Sequence, residues 1–85
     1  MPVYNVSIKP SAQKDLAKVP AEDRQRIREA IEALRSTPRP HGCEKLTNVD
    51  AWRIRIGRYR VVYEIFDADV LVVVFKIGPR RDIYR

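Results

Sequence analysis

A chain of 85 residues holds one domain and has no room for a second. Hydrophobic residues at 45% and charged residues at 33% exclude disorder and a disulfide scaffold, and one Cys with one His gives no zinc or iron–sulfur spacing. The net charge of +6 comes from 17 basic and 11 acidic residues, and the 17 divide into 12 Arg and 5 Lys, a bias toward the forked guanidinium that binds phosphate through two parallel hydrogen bonds.

The first ten residues, MPVYNVSIKP, carry neither a basic leader nor an apolar stretch of signal-peptide length. The longest apolar run, residues 70–75, is far short of a membrane span, so the expectation is a cytoplasmic protein without membrane contact. Residues 3–9, VYNVSIK, alternate enough for a short strand that Pro10 closes. Ser11 is a plausible N-cap for a first helix carrying Ala12, Leu16 and Val19 at helical spacing, and Pro20 ends it. A second helix is expected over residues 21–35. Glu22 and Asp23 stand in its first turn, Ile27, Ala30, Ile31 and Leu34 draw its apolar stripe, and Glu22 is spaced to pair with Arg26. Its other face holds Arg and acids in equal number and reads as solvated.

Residues 37–50, TPRPHGCEKLTNVD, are rich in turn formers and are expected to form one long loop. His41 and Cys43 lie in it two residues apart, with no third group to orient the imidazole, so a Cys–His nucleophile is not supported. Three strands follow, AWRIRI, YRVVYEIF and VLVVVFKI, separated by Gly57-Arg58 and by Asp67-Ala68-Asp69. Such short connections imply an antiparallel meander. The expected fold is α+β: an N-terminal strand, a helical hairpin, then a three-stranded antiparallel meander with the helices packed on one sheet face.

Gly57 at the first central position suits a two-residue type II′ turn, which pairs Ile56 with Tyr59, Arg55 with Arg60, Ile54 with Val61, Arg53 with Val62 and Trp52 with Tyr63. Alternation then gives one apolar, aromatic face and leaves Arg53, Arg55 and Arg60 together on the other. Two like charges directly opposite cost about 0.2–1 kcal/mol, so the cluster has a use outside the fold. Glu64, diagonal to Arg53, is a candidate partner for it. If Asp67, Ala68 and Asp69 form a three-residue loop, Lys76 lies across from Arg60 and Leu71, Val73, Phe75 and Ile77 face the helices. That register leaves Val62, Phe66, Val72 and Val74 beside the basic cluster, an apolar strip that either is covered by an amphipathic partner or signals a wrong register. After the turn signal Gly78-Pro79, the tail adds Arg80, Arg81, Tyr84 and Arg85.

The stretches PSAQKDLAKVP, RPHGCEKL, WRIRIGRYRVVYEI and VFKIGPRRDIY, in this order and spanning nearly the whole chain, resemble the RelE toxin family of toxin–antitoxin modules. The hairpin followed by the G-x-R-R-[DE]-[IV]-Y ending is the specific part. The resemblance implies a helical hairpin on a small antiparallel sheet and a ribosome-dependent ribonuclease that cuts mRNA in the ribosomal A site by attack of a 2′-hydroxyl on the adjacent phosphate. By position, Arg55, Arg60, Arg80 and Tyr84 would be its catalytic set. Arg53 would position the RNA backbone, and Arg58, Lys76, Arg81 and Arg85 would add RNA contacts. Guanidinium is a good charge clamp and a poor base; Tyr84 and Glu64 are the candidate bases. The implied partners are the ribosome, mRNA and a cognate antitoxin, joined in a hetero-oligomer, the antitoxin supplying an acidic amphipathic segment for Val62, Phe66, Val72 and Val74. Neither metal nor cofactor is called for. The alternatives are a ParE-like toxin that inhibits gyrase without nuclease activity, and a non-catalytic nucleic-acid-binding module.

Overall fold

The structure, a computed structural model, describes residues 3–79. The elements run β1 (Asn5–Ile8), α1 (Pro10–Ala17), α2 (Ala21–Ala33), β2 (Glu44–Lys45), β3 (Trp52–Ile56), β4 (Tyr59–Phe66), a 3-10 turn (Asp67–Asp69) and β5 (Leu71–Pro79). Proline punctuates the helices. Pro10 opens α1 at a position where its missing N–H costs nothing, with Lys9 rather than Ser11 at the N-cap, and Pro20 stands at the N-cap of α2. The helix 2 stripe is as expected: Ile27, Ile31 and Leu34 are buried and Ala30 packs against them. The expected Glu22–Arg26 pair is replaced by Asp23–Arg26, one turn-step shorter, at 3.8 Å.

The meander β3–β4–β5 is present within a larger, mixed sheet of five strands in the order β1-β5-β4-β3-β2. Strand β1 lies parallel to β5, pairing Asn5 with Leu71 through Ile8 with Val74. The two helices supply the crossover that a parallel pair requires. At the opposite edge, the loop expected over residues 37–50 contains β2, which sets Glu44 against Arg53 and Lys45 against Trp52. The helices cover one sheet face, where Leu16, Ile27 and Leu34 meet Ile54, Val61 and Tyr63 in one core.

The β3–β4 register is the one that the Gly57 turn predicts, from Trp52–Tyr63 to Ile56–Tyr59. Gly57 has φ +60 and Arg58 does not have a positive φ, which matches a type II′ turn. The β4–β5 register differs from expectation. Four residues, 67–70, connect the strands, because Val70 turns the chain in the left-handed region at φ 50 before Leu71 pairs with Phe66. A bulge follows: Tyr63 pairs with Val74 but Val62 pairs with Lys76, so Phe75 is the extra residue. Arg60 consequently faces Gly78, not Lys76.

These two irregularities reverse the facing of much of β5. Val72 and Val74 are fully buried in the helix-side core, contrary to the expectation that they flank the basic cluster. Leu71 and Val73, expected in the core, are half-buried and pair with Phe66 and Glu64 on the other face. The bulge lets Ile77 return to the core while Lys76 stays exposed. In an unbroken strand Lys76 would follow Val72 and Val74 inward, and burying an unpaired ammonium is far costlier than one irregular pair. Among the described residues, no helix is long and apolar enough to cross a membrane.

Candidate nucleic-acid interface

On the face away from the helices, β3 and β4 bring Arg53, Arg55 and Arg60 together. Arg55 and Arg60 are directly paired. Arg53 and Arg60 are buried, at 7% and 0% exposure, whereas Arg55 is open to solvent. Arg58 is exposed at the hairpin turn. Lys76 shares this face one row away, opposite Val62, because the bulge turns it outward.

The acid seated in the cluster is Glu44, not the expected Glu64. Arg53 Nη2 donates to Glu44 Oε1 at 2.5 Å, and Arg55 Nη2 lies 3.5 Å from the same oxygen. The hydrogen bond from Arg53 holds the Glu44 carboxyl below the usual carboxylate range, with the charges of Arg53, Arg55 and Arg60 adding to the effect. Glu64 pairs with Val73 toward the far end of β4. Four residues of strand put it about 13 Å from Arg60. Glu44 escapes a sequence reading because a two-residue strand has no periodicity.

The expected apolar strip changes membership. Val62 is on the basic face but already buried, Phe66 is exposed at 40%, and Leu71 and Val73 stand where Val72 and Val74 were expected. Arg80, Arg81, Tyr84 and Arg85 lie outside the described residues. Cys43 is a free thiol packed at the core margin and His41 is exposed in its loop. Among the described residues no group of three or more His, Cys, Asp or Glu comes together.

At the other end of the hairpin the charges are paired off. Arg39 donates to both Asp67 oxygens at 3.3 and 2.9 Å, and Tyr4 Oη donates to Asp67 Oδ1 at 2.7 Å. The Arg39 guanidinium also lies 5.2 Å from the centre of the Trp52 ring. Tyr63 Oη donates to the Pro38 carbonyl at 2.8 Å, and its burial pushes the phenol up. This network ties the N-terminal segment, the long loop and the β4–β5 connection into one corner.

Comparison with known proteins agrees with this architecture. Residues 6–84 match the family model described as the ParE toxin of the type II toxin–antitoxin system parDE. A protein of Methanocaldococcus jannaschii assigned as toxin RelE1 is 31% identical over 86 residues, 96% of each chain. The RelE–RelB complex of Pyrococcus horikoshii OT3 contains a chain with 30% identity and a TM-score of 0.83, covering 92% of this chain and 96% of that one. The RelBE2 toxin–antitoxin complex of Mycobacterium tuberculosis contains one with 27% identity and a TM-score of 0.81, covering 92% and 99%. With the fold, the family model and the relatives in agreement, the chain belongs to the RelE/ParE superfamily and is a toxin of a type II toxin–antitoxin system.

Proposed function

We propose that this toxin is a ribosome-dependent mRNA endoribonuclease. The observation that carries the reading is the grouping of Arg53, Arg55 and Arg60 on one sheet face, two of them directly opposed against a like-charge penalty. In the proposed reaction an RNA 2′-hydroxyl attacks the adjacent phosphorus and the bond to the 5′-oxygen breaks. Arg55 and Arg60, with Arg80, stabilise the charge that gathers on the phosphoryl oxygens, while Arg53 holds the backbone and Arg58, Lys76, Arg81 and Arg85 add contacts. Glu44 orients Arg53 and Arg55 in the resting protein. Those ion pairs make it a weak base, but a phosphate that draws the two guanidinium groups away restores its proton affinity. Glu44 therefore joins Tyr84 as a candidate acceptor for the 2′-hydroxyl proton, and the separation of Glu64 from Arg60 weighs against Glu64.

The Pyrococcus horikoshii relative is found in a RelE–RelB complex and the Mycobacterium tuberculosis one in the RelBE2 toxin–antitoxin complex. By extension we assign this toxin a cognate antitoxin in a hetero-oligomer, with an acidic amphipathic segment that covers Phe66, Leu71 and Val73 and reaches the basic face.

The test is translation of a reporter mRNA with purified ribosomes and toxin, mapped by primer extension. Discrete cuts that require ribosomes and are lost on adding antitoxin are expected. A second reading has the ParE description of the family model in its favour: arrest of growth with intact mRNA and inhibited gyrase would establish it. Binding to free RNA without cuts, weakening steeply with salt, would instead indicate a non-catalytic module.

A further inference from the structure

Strand β1 stops pairing with β5 at Ile8–Val74, and past that point α1 takes its place along the strand edge. Ile77 N–H donates to Asp15 Oδ2 at 3.3 Å, so a side chain of α1 completes the hydrogen bonding that a strand would have supplied. Between α1 and this edge lies a cleft of about 340 Å³, within the range of small-ligand sites. Three chemistries line it. Lys18 and Lys76 are exposed and cationic, the half-buried Tyr59 gives an aromatic wall beside Ile77, and Asp15 presents a half-buried carboxylate. The cleft opens at the free edge of β5, where the two sheet faces meet: Lys76 and Gly78 in its wall share the face of the arginine cluster, Gly78 as the ladder partner of Arg60, while Tyr59 and Ile77 line it from the helix side. Adjacent strands are about 5 Å apart, so a single-stranded RNA that crosses the basic face from β4 meets the open β5 edge beyond Val74, and the neighbouring nucleotide turns over that edge into the cleft.

We propose that this cleft is a nucleotide subsite that reads a base beside the cut. The inference rests on the ribonuclease reading and deepens it. Lys18 and Lys76 take the phosphate, the base lies against Tyr59 as bases do on aromatic platforms, and Asp15 accepts a hydrogen bond from an exocyclic amine. A carboxylate offers acceptors alone, so it favours an amine-bearing base over uracil, whose corresponding 4-position is a carbonyl. The carboxylate oxygen opposite the one that Ile77 uses is the reading atom.

Asp15→Asn is the informative change, because its amide oxygen still accepts from Ile77 N–H while the reading atom becomes a donor. In the reporter assay, cuts next to amine-bearing bases fall about tenfold relative to cuts next to uracil in this variant. In an NMR titration of the toxin, cytidine 5′-monophosphate shifts the amides of Lys18, Val19 and Ile77 more than uridine 5′-monophosphate does, and Asp15→Asn removes the difference. A wild type that cuts together with an Asp15→Asn variant of identical cut-site distribution overturns the subsite and leaves the ribonuclease reading intact. A wild type that cuts nothing overturns the ribonuclease reading, and the titration then judges the cleft alone: equal or absent shifts with the two nucleotides overturn it.

Discussion

The two ends of the β3–β4 hairpin use the same materials for different purposes. At the open end, Arg39 is gripped by Asp67, lies over Trp52 and shares its acid with Tyr4, so the positive charge is neutralised and the loop is pinned to the sheet. Toward the turn, Arg53 and Arg55 share the Glu44 carboxylate, and Arg60 and Arg58 enlarge the positive excess around it. One end spends its arginine on stability. The other sets Arg55 directly opposite Arg60 with one carboxylate beside them, the arrangement on which the proposed ribonuclease reading draws.

The contrast breaks most visibly at Arg55. Arg55→Ala is expected to lower ribosome-dependent cleavage by about 100-fold, the scale of losing one donor to a developing oxyanion, and to leave the melting temperature unchanged or slightly higher because a like-charge pair is relieved. Comparing cleavage rate and thermal melt on the same preparation checks both halves. Arg39→Ala is expected to do the reverse. It removes an ion pair and a cation–π contact and costs about 1 kcal/mol in a urea titration, while cleavage per folded molecule stays at the wild-type level.

The smallest effect sharpens the comparison through pH. The hydrogen bond from Arg39, then that from Tyr4, holds the Asp67 carboxyl below its ordinary range in the folded protein. A carboxyl depressed on folding contributes stability above its unfolded value, and the contribution fades as pH falls through the folded one. The melting temperature is therefore expected to drop below about pH 4, and Asp67→Asn to flatten part of that drop. A variant at Glu44, lowered in the same way by the arginine cluster, should flatten another part. An unchanged pH profile in both variants would mean that neither corner contributes to acid lability.

Much of this could be read from residues close together in the chain. Gly57 fixes a turn, the turn fixes the register, and the register puts Arg53, Arg55 and Arg60 on one face by strict alternation. Pro10 and Pro20 mark the helices and the Ile27–Ile31–Leu34 spacing marks the buried side of the second. Strand β5 resisted because Val70 to Phe75 is an unbroken apolar run with no alternation to reveal its facing. Its phase depends on a left-handed Val70 and a bulge at Phe75, features that only packing against β4 and α1 selects. Glu44 was hidden for a related reason: its importance lies in a cross-strand neighbour nine residues away, inside a segment whose composition reads as loop.

The placement of β5 also bears on when this protein can act. Of the described strands β5 comes last in the chain, yet it lies inside the sheet, between β1 and β4. Until it has been synthesised, β1 has no strand to pair with, and the helices lack the part of the core supplied by Val72, Val74 and Ile77. Contacts that join residue 5 to residue 71 also carry a large loop-closure cost and slow the final assembly. A nascent copy therefore passes through translation without a finished sheet and becomes harmful to the cell only after β5 has emerged.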